Sequence, residues 1–288
     1  MNNTIHTPVL LDEVITVLNP GSGKQYIDAT LGGAGHTKAI LERGGQVLGL
    51  DQDKAALDHV AKTVINPMLT TVEANFMTIK NQAHKYGFSC VDGILFDLGV
   101  SSLQLDTPTR GFSFLHEAPL DMRMSQQTKE TAAELVNTAS EDELFEMFMT
   151  NAQEPKSQAI AKSILNHRPI TTTTELAEIV LAVYGGKRGK IHPATRIFQA
   201  LRIAVNQELK IIKPALKDAF ELLKVGGRLA VISFHEGEDR IVKRSFQELI
   251  EAGQALYCGA NPLAPQPAEI HQNPRARSAK LRTVERVS

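Results

Sequence analysis

Four short apolar runs punctuate the first hundred residues, at Tyr26 to Ala29, Val47 to Leu50, Met68 to Val72 and Ile94 to Phe96, each followed by turn residues and then a helical pattern. Strand, turn and helix in alternation predict a parallel sheet with crossover helices. Three of the runs meet an acid at their end: Asp28 beside Ile27, Asp51 after Leu50 and Asp97 after Phe96. Ligands of open α/β sheets bind beyond the carboxyl ends of the strands, so these acids are expected to line one crevice.

After Asp97 the alternation stops and helical signals take over. Ser140-x-x-Glu143 has the form of a capping box ahead of Leu144, Phe145, Met147 and Phe148, and Thr172-x-x-Glu175 precedes Leu176, Ile179, Val180 and Val183 in the same way. The Met and Phe stripes fall at helical spacing and read as core rather than as cofactor contacts. The sheet pattern then resumes. Leu209, Ile212, Leu216, Phe220 and Leu223 form one helical stripe that Gly226 and Gly227 are expected to close, and Arg228 to Phe234 is strongly β-like. A helix over Asp239 to Glu251 and a strand around Lys280 to Val284 complete the pattern. The expected architecture is α/β: a Rossmann-like, mostly parallel sheet built from residues 1–108 and 207–288, split by an all-helical domain over 109–206.

The stretch from Gln25 to Thr37, QYIDATLGGAGHT, carries the first chemical signal. Gly32, Gly33 and Gly35 can take positive φ and have no side chain to obstruct a ligand, while a helix start offers unpaired N–H groups. Asp51 follows Gly32 by nineteen residues at the end of the next strand, where a carboxylate would meet ribose hydroxyls. A nucleotide-type ligand is the expectation. At the fourth strand end, Asp97-Leu98-Gly99-Val100-Ser101-Ser102 combines a carboxylate, a bendable backbone and two hydroxyls, which suits a small polar acceptor group. A polar turn with Ser101 capping a helix is the plainer alternative.

Other chemistries fit poorly. Two cysteines without CxxC spacing indicate neither a disulfide framework nor a zinc site, and suit a reducing, cytoplasmic setting. His116-Glu117 and His235-Glu236 do not belong to an HExxH pattern, so no metal is expected. Gly99-Val100-Ser101-Ser102-Leu103 lacks the second glycine of a hydrolase elbow. No secretory leader or membrane helix is expected, because Asp12 and Glu13 interrupt the early apolar stretch and no window nears the length of a span.

A formal net charge of −1 hides local bias. Between Gly185 and Arg202 stand Lys187, Arg188, Lys190, Arg196 and Arg202 with no acid, and the tail from His271 holds Arg275, Arg277, Lys280, Arg282 and Arg286 against Glu285. Both segments permit phosphate contact, and both are equally compatible with solvated faces. A nicotinamide dehydrogenase would share the glycine turn and the ribose acid. A methyltransferase acting on DNA or protein would keep the same crevice, and an RNA chaperone would need only the basic surfaces.

Longer blocks narrow these alternatives: HTPVLLDEV from His6, DATLGGAGH from Asp28, DGILFDLGVSS from Asp92, RGFSF from Arg110, PLDMRM from Pro119, HPATRIFQALRIAVN from His192, GGRLAVISFHEGEDRIVKR from Gly226 and NPRARSAKLR from Asn273. In these the chain resembles the RsmH (MraW) family of S-adenosylmethionine-dependent methyltransferases. The resemblance implies a class I methyltransferase sheet, S-adenosyl-L-methionine as cofactor, and methyl transfer to N4 of a cytidine in the decoding region of bacterial 16S ribosomal RNA. It implies 16S rRNA within the small ribosomal subunit as partner and an insertion that helps hold RNA, and it leaves a homodimer open. By the same resemblance Ala34, Gly35, His36, Asp51, Phe76, Asp97 and Gln104 are expected at the cofactor, with Asp97 and Ser101 as candidates for handling the acceptor amine. Three departures stand out: Ala34 replaces a glycine of the family's glycine block, Glu236 and Gly237 replace the usual residues of SFHSLEDR, and Ala152-Gln153-Glu154 replaces GEE. An alanine resists positive φ, so Ala34 is expected in an ordinary backbone conformation.

Overall fold

In the computed structural model, which describes residues 8–288, the chain divides into two compact units: one formed by the residues up to Gly99 and from Leu209 on, the other by Val100–Glu208. The first two residues of the block that begins at His6 lie outside the described range.

The first unit carries α1 (Leu11–Leu18), β1 (Gln25–Asp28), α2 (Gly35–Glu42), β2 (Gln46–Asp51), α3 (Lys54–Thr63), β3 (Leu69–Glu73), α4 (Ile79–Tyr86) and β4 (Val91–Asp97). The second unit carries α5 (Ser102–Leu105), α6 (Ala132–Thr138), α7 (Glu141–Ala152), α8 (Ser157–Asn166), α9 (Thr173–Val183) and α10 (Ala194–Val205). The chain then returns to the first unit through α11 (Glu208–Leu222), β5 (Leu223–Ser233), α12 (Glu236–Glu251), β6 (Ala255–Tyr257), α13 (Pro267–Gln272) and β7 (Lys280–Arg286).

Among the described residues the strands form one seven-stranded sheet in the order β3-β2-β1-β4-β5-β7-β6. The first five strands are parallel, β7 runs antiparallel to β5, and β6 antiparallel to β7. Their apolar runs are continuous because both faces are covered. Ile27, Leu48, Leu50, Ile94, Phe96, Leu229 and Val231 point into one core, and their strand neighbours Tyr26, Val47, Leu95, Ala230 and Ile232 into another. This period of two fixes the register, since a one-residue slip would exchange the two faces.

The helical unit has its own core, with Leu144, Phe148, Ile160, Ile164, Leu176, Val180, Ile197 and Leu201 all buried. The two expected capping boxes are present, Ser140 with Glu143 on α7 and Thr172 with Glu175 on α9, and a third joins Thr131 to Glu134 on α6. Asn206, just after α10, is tied to the segment ahead of α6, accepting from Met124 N–H at 2.8 Å and donating to the Met122 carbonyl at 2.8 Å.

Several boundaries differ from expectation. The helical unit runs from Val100 to Glu208 rather than over 109–206. Val100 and Leu105 pack on the helical core, and Arg202 grips the Glu208 carboxylate through two hydrogen bonds of 2.8 and 2.9 Å. Gly226 and Gly227 do not close α11, which ends at Leu222; they sit in β5 near the point where its register against β4 shifts. The helix expected from Asp239 begins at Glu236, because His235 and Glu238 form a capping box.

Candidate cofactor and acceptor site

Beyond β1 the chain turns sharply over Ala29 to Ala34 before α2 begins, and Asp51 holds that turn from the end of β2. Its Oδ2 accepts from Gly32 N–H at 2.8 Å and its Oδ1 from Asp53 N–H at 2.8 Å. Desolvation pushes the Asp51 pKa up to about 6 despite these two backbone donors, with the Asp53 and Asp28 charges adding to the rise.

The three glycines of the turn serve three purposes. Gly32 takes φ +49°, the left-handed conformation expected of the cluster. A Cβ at Gly33 would have nothing within 4 Å among the described residues, so backbone is open there. Gly35 instead makes room for Pro8, whose Cγ would lie 2.2 Å from a Cβ at that position. Ala34 corrects the expectation for that position: it adopts φ 60° and ψ 30°, left-handed although it carries a side chain. The turn takes the same shape that a glycine would allow, at a cost of roughly 1–2 kcal/mol. No side chain caps α2.

The end of β4 joins the same turn. Asp97 N–H donates to Thr30 Oγ1 at 2.6 Å, and Ala29 N–H donates to the Leu95 carbonyl at 2.9 Å. The Asp97 Oδ1 is buried with no hydrogen-bond partner among the described residues, while Oδ2 lies 3.8 Å from His36 Nδ1. Because His36 Nε2 is 3.0 Å from the Val9 carbonyl, which can only accept, Nε2 carries the hydrogen there. Desolvation raises the Asp97 pKa to about 6; His36 works against the rise, and the Asp28 and Glu238 carboxylates add to it. Asp28 itself is buried and accepts from Thr37 Oγ1 at 2.7 Å, with its pKa raised by burial. The three acids therefore converge on the glycine turn, and the charge of Asp28 is felt at both Asp51 and Asp97.

Phe76 opens a short 3-10 turn after β3 and meets Phe96 edge-on, with ring centroids 5.6 Å apart. Asn75 fixes that turn by accepting from Met77 N–H at 2.9 Å and donating to Gln52 Oε1 at 2.7 Å. Ser101 and Gln104 belong to the helical unit, where they form the capping box of α5: Gln104 N–H donates to Ser101 Oγ at 3.2 Å and Ser101 N–H to Gln104 Oε1 at 3.0 Å. The capping alternative for Ser101 is thus the geometry found.

Two features escaped sequence reasoning. No spacing pairs a histidine with a carboxylate, yet His36 and Asp97 face each other because β1 and β4 are sheet neighbours and α2, which follows β1, begins beside the last residue of β4. At the end of β5, Glu238 is buried and accepts from Phe234 N–H at 2.7 Å, with the His235 ring 3.0 Å away. The basic tail is also less available than its composition suggested. Lys280 and Arg282 pair with Asp239 at 3.0 and 2.7 Å, and Arg286 donates to the Leu223 carbonyl at 2.7 Å. Among the described residues no cluster of His, Cys, Asp or Glu could hold a metal ion, and no helix is long and apolar enough to cross a membrane.

Comparison with known proteins gives a consistent picture. A model described as the MraW methylase family matches residues 3–287. The protein from Thermomicrobium roseum called ribosomal RNA small subunit methyltransferase H is 48% identical over 311 residues, covering 99% of this chain and 95% of that one. The protein of the same name from Deinococcus deserti is 50% identical over 286 residues, covering 98% and 94%. Among solved structures, a putative methyltransferase from Streptococcus mutans in complex with SAH is 13% identical with a TM-score of 0.48, covering 98% of this chain and 100% of that one.

Proposed function

The chain belongs to the MraW methylase family, and on that premise we propose that it transfers a methyl group from S-adenosylmethionine to the N4 amine of a cytidine in the decoding region of 16S ribosomal RNA. The observation that carries this reading is the rim of the sheet at the glycine turn, where open backbone, an uncapped helix start, Asp51 and the Asp97 carboxylate, one oxygen of which has no hydrogen-bond partner among the described residues, occur together.

The residues at this rim fit such a cofactor. Asp51 spends one lone pair of each oxygen on backbone N–H groups and keeps the others for ribose hydroxyls. Phe76 offers a half-buried ring to the adenine, and the backbone of Gly35 and His36 offers N–H groups at the start of α2, whereas the Ala34 N–H is taken by the Leu31 carbonyl at 2.7 Å. When bound, the sulfonium supplies a methyl that is already activated, so no protein nucleophile is required.

The work left to the protein is alignment. Cytosine N4 is a poor nucleophile because its lone pair is delocalised into the ring. A hydrogen bond from one amine N–H to the Asp97 carboxylate would hold the group and turn its lone pair out of that conjugation. In-line positioning of this kind accounts for about 7–11 kcal/mol of a barrier. The amine loses a proton on methylation, and Asp97, at about 6, accepts it more readily than an ordinary carboxylate. Ser101 Oγ and Gln104 Oε1 each accept a backbone N–H in their capping box, so Asp97 is assigned the leading role.

The target base must leave its stack, at a cost of about a few kcal/mol that is least in irregular RNA. Phosphate contacts from Lys187, Arg188 and Lys190, all exposed on the helical unit, would offset that cost in a salt-dependent way. A ribosomal RNA substrate supports a cytoplasmic location. The test is nucleoside mass spectrometry of 16S rRNA incubated with the protein and S-adenosylmethionine, both as free RNA and as small subunits. N4-methylcytidine at one mapped position is expected; a methyl group on another base, or on none, would overturn the reading.

A further inference from the structure

The helical unit exposes two large aliphatic side chains that its core does not use. Leu115 is 81% exposed and Ile191 66%, and each adjoins one member of a ring pair. The rings of Phe114 and His192 stand 4.9 Å apart with their planes inclined by 40°. Both are held in place. Phe114 meets Phe198 edge-on at 4.8 Å, and His192 Nδ1 accepts from Ala194 N–H at 3.1 Å where α10 begins.

A single exposed leucine or isoleucine needs no explanation. Here two of them flank fixed aromatic rings beside a cationic loop, with Lys187, Arg188 and Lys190 exposed and no acid between Gly185 and Arg202. The Arg188 charge reaches His192: desolvation first and then Arg188 hold the imidazole pKa below its usual value, so the ring is uncharged at neutral pH. Glu117 is an exposed acid on the same loop as Leu115, and the three bases outnumber it.

Apolar and aromatic faces interleaved with bases suit a strand that offers both flat bases and phosphates. A second copy of the chain is a poorer occupant, because a two-fold contact centred here would set this cationic loop against its own copy. We propose that Leu115, Ile191 and the Phe114–His192 pair form a stacking surface for an unpaired base of the RNA substrate, with Arg188 and Lys190 on the flanking phosphates. This rests on the ribosomal RNA reading above and names a recognition element for it on the helical unit.

The test measures anisotropy of a labelled single-stranded 16S rRNA fragment, with heparin as a polyanion that has no bases. The double variant L115A/I191A should weaken RNA binding by about fivefold or more, leave heparin binding unchanged and keep the slope of log affinity against log salt. R188A/K190A should weaken both ligands and reduce that slope by about 1.4 for RNA. RNA binding by L115A/I191A at wild-type strength would overturn the proposal, as would equal losses for RNA and heparin. Sedimentation showing that L115A/I191A converts a dimer to a monomer while leaving RNA affinity intact would assign the surface to a second copy instead. Failure of the wild-type protein to methylate 16S rRNA would sink the functional reading; methylation by wild type together with unaltered RNA binding by L115A/I191A would sink only this surface.

Discussion

Four helix starts in the helical unit contrast with the two at the glycine turn. In the helical unit α5, α6, α7 and α9 each open with a reciprocal capping box, so that donors which would otherwise lack partners are satisfied by side chains. At the rim of the sheet, α1 and α2 each begin after a left-handed residue, Leu10 at φ 54° and Ala34 at φ 60°, and neither has a side-chain cap. A missing cap is not confined to the rim, because α8 and α10 of the helical unit also begin without one, while α3 and α12 of the sheet unit are capped by Asp53 and His235. At the rim, however, an uncapped start, open backbone and an Asp97 oxygen with no hydrogen-bond partner among the described residues are gathered at one edge, which is the pattern expected of a ligand site.

The sharpest way to break that comparison is to remove the Asp97 carboxylate. Asp97→Ala should lower methyl-transfer turnover about a hundredfold or more while cofactor affinity changes much less; single-turnover rates and calorimetry on one preparation separate the two. A larger loss in affinity than in turnover would make Asp97 a cofactor ligand only. Next in size, Asp51→Ala should weaken S-adenosylmethionine binding by about ten- to a hundredfold, since it removes a charged acceptor and frees the N–H groups of Gly32 and Asp53. Calorimetry returning wild-type affinity would refute the ribose assignment.

Capped helix starts should respond in stability and not in binding. Thr172→Ala removes the cap of α9 and should cost about 1 kcal/mol, read as a lower denaturation midpoint, with cofactor affinity unchanged. The smallest effect is expected at the strained turn. Ala34→Gly relieves the left-handed alanine but gives the unfolded chain more freedom, so the two terms offset to within about 1 kcal/mol. A destabilisation well beyond that figure would mean that the Ala34 methyl contributes packing that outweighs its backbone strain.

Much of this could be read from residue order, and the exceptions have physical causes. The acid-ended strands β1, β2 and β4 were legible because continuous apolar runs mark a doubly covered parallel sheet. β6 was not, since three residues at an antiparallel edge, two of them exposed, carry no periodic signal. The boxes at Ser140 and Thr172 were visible as Ser or Thr followed three residues later by Glu, whereas His235 with Glu238 caps through an imidazole that the pattern omits. The left-handed Ala34 was misjudged because steric preference is a local argument, and here the surrounding turn, pinned by Asp51 on Gly32, overrides it. The His36–Asp97 contact depends on which strands are neighbours, and sequence order alone does not say that β1 lies beside β4.

The most direct test of the account is the pH dependence of single-turnover methyl transfer to 16S rRNA at saturating S-adenosylmethionine, where titration of Asp51 in the free site no longer matters. Asp97 must be ionised to accept the amine N–H, and its pKa is raised to about 6, so the rate should climb as pH rises through that value and level off above it. Asp97→Asn should be slow at every pH and lack the step. A wild-type profile flat from pH 5 to 8, or the same step retained in Asp97→Asn, would contradict the claim that this carboxylate handles the acceptor.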